Sequence, residues 1–132
     1  MCFYAYDDFA LHTALLDRVE SGKLRLKLIV DGRYLYGSSA PYYSMSRLQA
    51  LNQHTGAEIK TGGSAASNMH YKIAWLSGPN DFAIAYHGGS NATQASRKSW
   101  ECVTRHLDPD MTRQFKEIAE HCFDKGIGLR ML

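Results

Sequence analysis

A strand–helix–strand signal within residues 2–30 restricts the fold more than any other feature of the chain. Leu24, Leu26, Leu28 and Val30 alternate with Arg25, Lys27 and Ile29. Period-two alternation marks a strand, here half-exposed at its start and buried at its end. Residues 2–6 read as an earlier, aromatic strand. Between the two, Phe9, Leu15, Leu16 and Val19 fall on one helical face. Asp7 or Asp8 is placed to cap that helix, and Gly22 to end it. At this spacing a parallel pair with a right-handed crossover is expected.

Residues 32–43 then read as an aromatic loop with Arg33, Tyr34, Tyr36, Tyr42 and Tyr43. It follows the end of a parallel strand, where open α/β sheets place their ligands. An ordinary loop packed by its own rings is the plainer reading. Ser44 is a cap candidate for a second helix with Met45, Leu48 and Leu51 inward, closed by Gly56. Ala57–Lys60 reads as a short strand. Residues 61–68 are small and polar, a candidate lid. Residues 69–77 and 82–87 read as a hairpin around Gly78-Pro79-Asn80-Asp81, and residues 99–105 as a further strand. Asp108 and Pro109 open a last helix, with Met111, Phe115, Ile118, Ala119, Cys122 and Phe123 as its stripe and Gly126 at its end.

The 132 residues suit one domain spanning 1–132, and 45% hydrophobic residues suffice for a core. A net charge of +2 is too small to argue for nucleic acid by itself. No apolar run reaches the roughly 20 residues of a membrane span. No leader pattern opens the chain; it begins almost on its first strand, so an upstream leader or anchor stays open. Cys2, Cys102 and Cys122 form no even disulfide framework and read as buried small hydrophobes of a reducing, cytoplasmic compartment. The histidines and cysteines show no zinc-ligand spacing.

The chemistry concentrates in two stretches. His70 and Lys72 are two apart in a presumed strand and so point to one face. Gly88-Gly89-Ser90-Asn91-Ala92-Thr93 is a tight turn that gathers backbone N–H groups, a hydroxyl and an amide. Histidine, lysine, amide and glycine turn together suit a phosphate. A lone histidine is more often structural, and His12, His54, His106 and His121 are expected at the surface. His87, beside the turn, is expected to be incidental.

His70-x-Lys72, Gly88-x-x-Asn91-x-Thr93 and Glu101, on this strand–helix–strand background, resemble the HKD signature of the phospholipase D superfamily. The resemblance covers nearly the whole chain. It implies an α/β fold, a mixed sheet flanked by helices on both faces. It differs in detail. Where the family has Asp five residues after its Lys, this chain has Ser77, and Asp81 is the substitute candidate. The family's Gly-Ser pair reads Gly88-Gly89, with Ser90 one place later, and the Asn before Glu101 is Ser99.

Phosphodiester cleavage needs a nucleophile, charge neutralisation on the phosphoryl oxygens and an acid for the leaving oxygen. His70 is the candidate nucleophile, forming a phosphohistidine. Lys72 and Asn91 would hold the non-bridging oxygens, and Glu101 would accept from the imidazole N–H. Gly88, Gly89, Ser90, Thr93 and Asp81 would bind substrate. In this chemistry lysine and amides replace a metal ion, so no metal or cofactor is implied. One histidine cannot be nucleophile and acid on opposite sides of phosphorus. The family uses two facing motifs, so a single motif implies a homodimer with the site on its two-fold axis.

A metal-independent nuclease acting on DNA or RNA follows as the expected function, with Arg33, Lys60, Arg97 and Lys98 tracking a backbone. A phospholipase would need an apolar anchor, and none is evident. A weakened phosphate- or nucleic-acid-binding module is the third reading, favoured by Ser77.

Overall fold

The computed structural model describes residues 1–63, 69–98 and 101–130. Its strands are β1 (Cys2–Phe3), β2 (Leu26–Asp31), β3 (Ala57–Gly62), β4 (Lys72–Ser77), β5 (Ala83–Gly88), β6 (Val103–His106) and β7 (Ile127–Gly128). Its helices are α1 (Phe9–Glu20), α2 (Gly32–Tyr36), α3 (Tyr42–Asn52), α4 (Gln94–Lys98) and α5 (Pro109–Asp124). The strands form one sheet in the order β6-β5-β4-β1-β2-β3-β7. β1, β2 and β3 run parallel, whereas β4, β5 and β6 pair antiparallel. The seam lies between β1 and β4, which are antiparallel with Phe3 opposite Lys72.

Strand alternation sorts the core into two layers. Leu26, Leu28 and Val30 of β2 face a cluster containing Leu15 and Val19 of α1 and Leu48 and Leu51 of α3. Ile29 points the other way, to Ala119 and Phe123 of α5, together with Cys2 and Ile73. Helices therefore flank both faces, and the sheet is mixed, as the sequence led one to expect. Fully burying such a side chain contributes roughly 1.5–3 kcal/mol. The layers diverge beyond the seam. There α5 packs on β4 and β5, while Leu76, Tyr86 and Val103, on the other face by alternation, stay exposed.

Several local expectations need correction. Asp8 caps α1, accepting from Leu11 N at 2.7 Å, but Phe9 is exposed rather than inward. Residues 32–36 form a helical turn, because Asp31 accepts from Tyr34 N at 2.9 Å and caps it. Pro41, not Ser44, precedes α3; Ser44 is buried within the helix. Thr61 and Gly62 extend β3, and the rest of the presumed lid, residues 64–68, lies outside the described residues, as does Ser99. β6 starts at Val103, and α4 and β7 had no evident sequence signal. His12 is buried, not superficial, because its Nδ1 meets the Tyr6 hydroxyl at 3.3 Å. Cys102 is exposed rather than buried.

Candidate phosphate site

Met69, His70 and Tyr71 precede β4 rather than belong to it. The buried Asp31, at the end of β2, reaches across and accepts from Met69 N at 2.6 Å. This anchors the residue before His70 to the sheet. Lys72, the first residue of β4, then folds back on His70. Its ammonium donates to the imidazole Nδ1 at 2.9 Å and to the His70 carbonyl at 3.0 Å. The two side chains do converge, although through this hydrogen bond and not through strand alternation. The Tyr4 ring backs the imidazole at 4.9 Å between centroids and touches Tyr34 at 5.6 Å.

An ammonium has donors only. The His70 Nδ1 must therefore accept, which puts the proton of the neutral ring on Nε2. Burial holds the Lys72 ammonium pKa below its ordinary value, and the negative charge of Glu101 opposes that shift. Glu101 thus stands within electrostatic reach of Lys72. It is itself exposed; its expected bond to the imidazole is replaced, in this state, by that of Lys72.

The second stretch reaches the same place from β5. Lys72, Gly88, Ser90 and Asn91 line one open cavity. The Asn91 Oδ1 accepts from Ala5 N at 3.2 Å, one residue after Tyr4, so its amide nitrogen is free of that contact to donate. Asn91 N donates to Ser96 Oγ at 3.0 Å. Gly88 has no alternative: an added Cβ would lie 2.1 Å from the Cys102 carbonyl oxygen.

Other assignments shift. The expected run of free amides at 88–90 is reduced, since Gly89 N donates to the Cys102 carbonyl at 3.1 Å. Thr93 is buried and its hydroxyl works internally: it accepts from Ser96 N at 3.2 Å, as a helix cap does, and bonds Ser96 Oγ at 3.0 Å. Asp81 is not brought to the cavity. It sits in the β4–β5 turn with φ of 57°, beyond Ser77 and so a full strand length from Lys72, roughly 15–20 Å at about 3.3 Å per residue. Ser77 ends β4 at the same remote edge. His87 lies on the α5 face, its ring 5.2 Å from Phe115.

Four residues hold the site in roles not expected of them: Asp31, Ser96, and Asp8 paired with Arg97. The Arg97 guanidinium pairs with both oxygens of the buried Asp8 carboxylate, Nη2 donating to Oδ1 at 2.8 Å and Nε to Oδ2. Asp7 accepts from Gln94 N at 2.8 Å, and the Asp7 and Asp8 amides donate to the Ala92 carbonyl. The start of α1 and the turn after β5 are thereby sewn together. Arg97 is thus engaged with a carboxylate rather than free to follow a backbone. Lys60 donates to the Phe123 carbonyl under α5 at 3.3 Å.

No protein-family model matches the sequence, and no curated protein does. Solved structures share its fold, among them the following two. Nuc, a phospholipase D family member from Salmonella typhimurium, is 18% identical with a TM-score of 0.75, over 99% of this chain and 80% of that one. NucT from Helicobacter pylori is 14% identical with a TM-score of 0.74, over 96% of this chain and 79% of that one. A mixed sheet with this course, overlaying almost all of this chain on about four-fifths of each of those, is a phospholipase D-type fold.

Proposed function

We propose that the protein is a metal-independent phosphodiesterase, an endonuclease of DNA or RNA that works through a phosphohistidine in a homodimeric site. The observation that carries this reading is the convergence of His70, Lys72 and Asn91. Two segments distant in sequence supply a candidate nucleophile, a cation and an amide: Lys72 bonds His70, and Lys72 and Asn91 line one open cavity. The fold it shares with Nuc, a phospholipase D family member, supports the same class of chemistry.

The hydrogen bonds suggest an order of events. A bound phosphate oxygen competes for the Lys72 ammonium and draws it off the His70 Nδ1. The ring proton can then pass to Nδ1, with Glu101, whose charge already acts on Lys72, as the group to accept from it, and Nε2 gains the lone pair that attacks phosphorus. Lys72 and the Asn91 amide neutralise the charge that grows on the non-bridging oxygens. The leaving oxygen takes a proton from the His70 of a second copy, which enters the step as the imidazolium and leaves it as the neutral imidazole. That imidazole then removes a proton from water, which hydrolyses the phosphohistidine and restores both rings. The exposed apolar face of β4 and β5 supports a two-fold partner. Lys72, Ala74 and Leu76 share that face, so a copy seated there lies beside the site.

A second reading, a phosphate- or nucleic-acid-binding module with little turnover, is favoured by Ser77 at the family's Asp position and by the Lys72 bond that occupies Nδ1. Both readings are separated by hydrolysis assays in excess EDTA with single- and double-stranded DNA, RNA and a chromogenic diester. The expected result is cleavage that survives chelation and falls by at least ~10³-fold in His70→Asn, the scale of a lost nucleophile. Binding without cleavage of any substrate would replace the nuclease by the module.

A further inference from the structure

On the face of the sheet opposite Lys72, two thiols meet. Cys2 of β1 is fully buried and its Sγ donates to the Ala119 carbonyl of α5 at 3.6 Å. Cys122 lies three residues further along that helix, on the same side, and packs into the same cluster as Cys2, Ile29, Met69 and Phe123. Each thiol acts on the other's ionisation as a side-chain hydrogen-bond partner, and both pack into the one cluster beneath α5. Cys122 is only half-buried and lines a surface cleft with Met69, Tyr71, His121 and Lys125. A reagent in that cleft reaches Cys122 first, with Cys2 directly behind it.

We propose that Cys2 and Cys122 are a disulfide-forming pair, a redox modification site that fastens β1 to α5. The environment divides the roles. The hydrogen bond from Cys2 holds the Cys122 thiol below its ordinary pKa; burial opposes this and Lys125 assists it. The same hydrogen bond, together with burial, pushes the Cys2 thiol up. Cys122, half-buried and open to the cleft, is therefore the attacking thiol, and the fully buried Cys2 the resolving one.

The oxidant is a low-molecular-weight disulfide. The Cys122 thiolate attacks one of its sulfurs, the small disulfide bond breaks, and one small thiolate leaves, taking up a proton. Cys2 then gives its proton to solvent and attacks the Cys122 Sγ, expelling the second small thiolate. Two electrons pass from the protein pair to the oxidant, which departs as two thiols. Because Cys2 and Phe3 are hydrogen-bonded opposite Ile73 and Lys72, the link clamps the strand beside the candidate site. It also closes nearly the whole chain into a loop, which restricts the unfolded ensemble and raises Tm by roughly 5–15 °C. The proposal stands independently of the phosphodiesterase reading.

The test uses the full chain with the exposed Cys102 changed to serine (C102S). The protein is reduced, freed of reductant, incubated with excess oxidised glutathione, then digested and mapped by mass spectrometry. The expected product is a monomer-internal Cys2–Cys122 peptide with no retained glutathione and a raised Tm, both reversed by dithiothreitol. C102S/C122S should show neither. A stable glutathione adduct on Cys122 with Cys2 unmodified, a linkage between chains, or no reaction would each overturn the pair. The C102S map decides the question alone if the double variant does not fold.

Discussion

The two halves of the sheet are finished differently. In the β1–β2–β3 half, Leu28, Ile29 and Val30 are fully buried, with α1 and α3 on one side and α5 on the other. In the β4–β5–β6 half, α5 covers one face, and on the other Leu76 is 40% and Val103 49% exposed. The candidate site lies on the boundary, where Phe3 of one half pairs with Lys72 of the other. The first half has a complete core and explains why the chain folds. The second presents apolar surface beside catalytic-type groups, which is the arrangement expected of an interface that completes a site. Stability and proposed activity should therefore respond to substitutions on different sides of the seam.

Leu76→Arg puts a charge on the open face without touching the closed half. It should leave secondary structure by circular dichroism intact, shift light scattering from dimer to monomer, and reduce diester hydrolysis at least ~10²-fold by removing the second histidine. An unchanged dimer with unchanged activity would place the two-fold elsewhere. Leu28→Ala tests the converse. It removes a fully buried side chain from the closed half and should cost about 2–5 kcal/mol in denaturant unfolding. The fraction that stays folded should keep its specific activity. Loss of both together would mean that the halves are not separable.

How far the sequence revealed this division depends on the range of the interactions. β2 and α5 were legible because their signals are local: alternation at Leu26, Leu28 and Val30, and an Asp108–Pro109 start before a long apolar stripe. That the His70 and Lys72 side chains meet was expected from their spacing, but for a reason that needed revision, since His70 lies outside β4 and Lys72 reaches back to it. The short helices α2 and α4 were missed because five residues offer no period to read; their caps, Asp31 and Thr93, decide them. Asp81 was misplaced by counting along the chain, where the hairpin carries it away from Lys72. The Ala5–Asn91 bond joins residues 86 apart, and the Asp8–Arg97 pair spans 89. No window of sequence contains both ends of either.

The seam itself can be sharpened through that last pair. Asp8 caps α1 from the closed half, and Arg97 comes from α4, just after the Asn91 turn. The Arg97 guanidinium holds the Asp8 carboxyl below the usual carboxylate range; burial opposes the shift, and the Leu11 and Ala10 amides add to it. A carboxyl with a lowered pKa in the folded state stabilises the fold above its unfolded value of about 4, and that stabilisation fades as pH falls through the lower folded value. Asp8→Asn keeps a good cap but removes the charge. The gap in denaturation midpoint between wild type and Asp8→Asn should be widest above about pH 5 and close as the carboxyl protonates. It should also narrow with added salt, since the Arg97 side chain is 61% exposed. For the same reason this should be the smallest of the three effects. A gap that does not change with pH would mean that hydrogen-bond geometry, not charge, holds α1 to the Asn91 turn, and the site would then keep its alignment in acid.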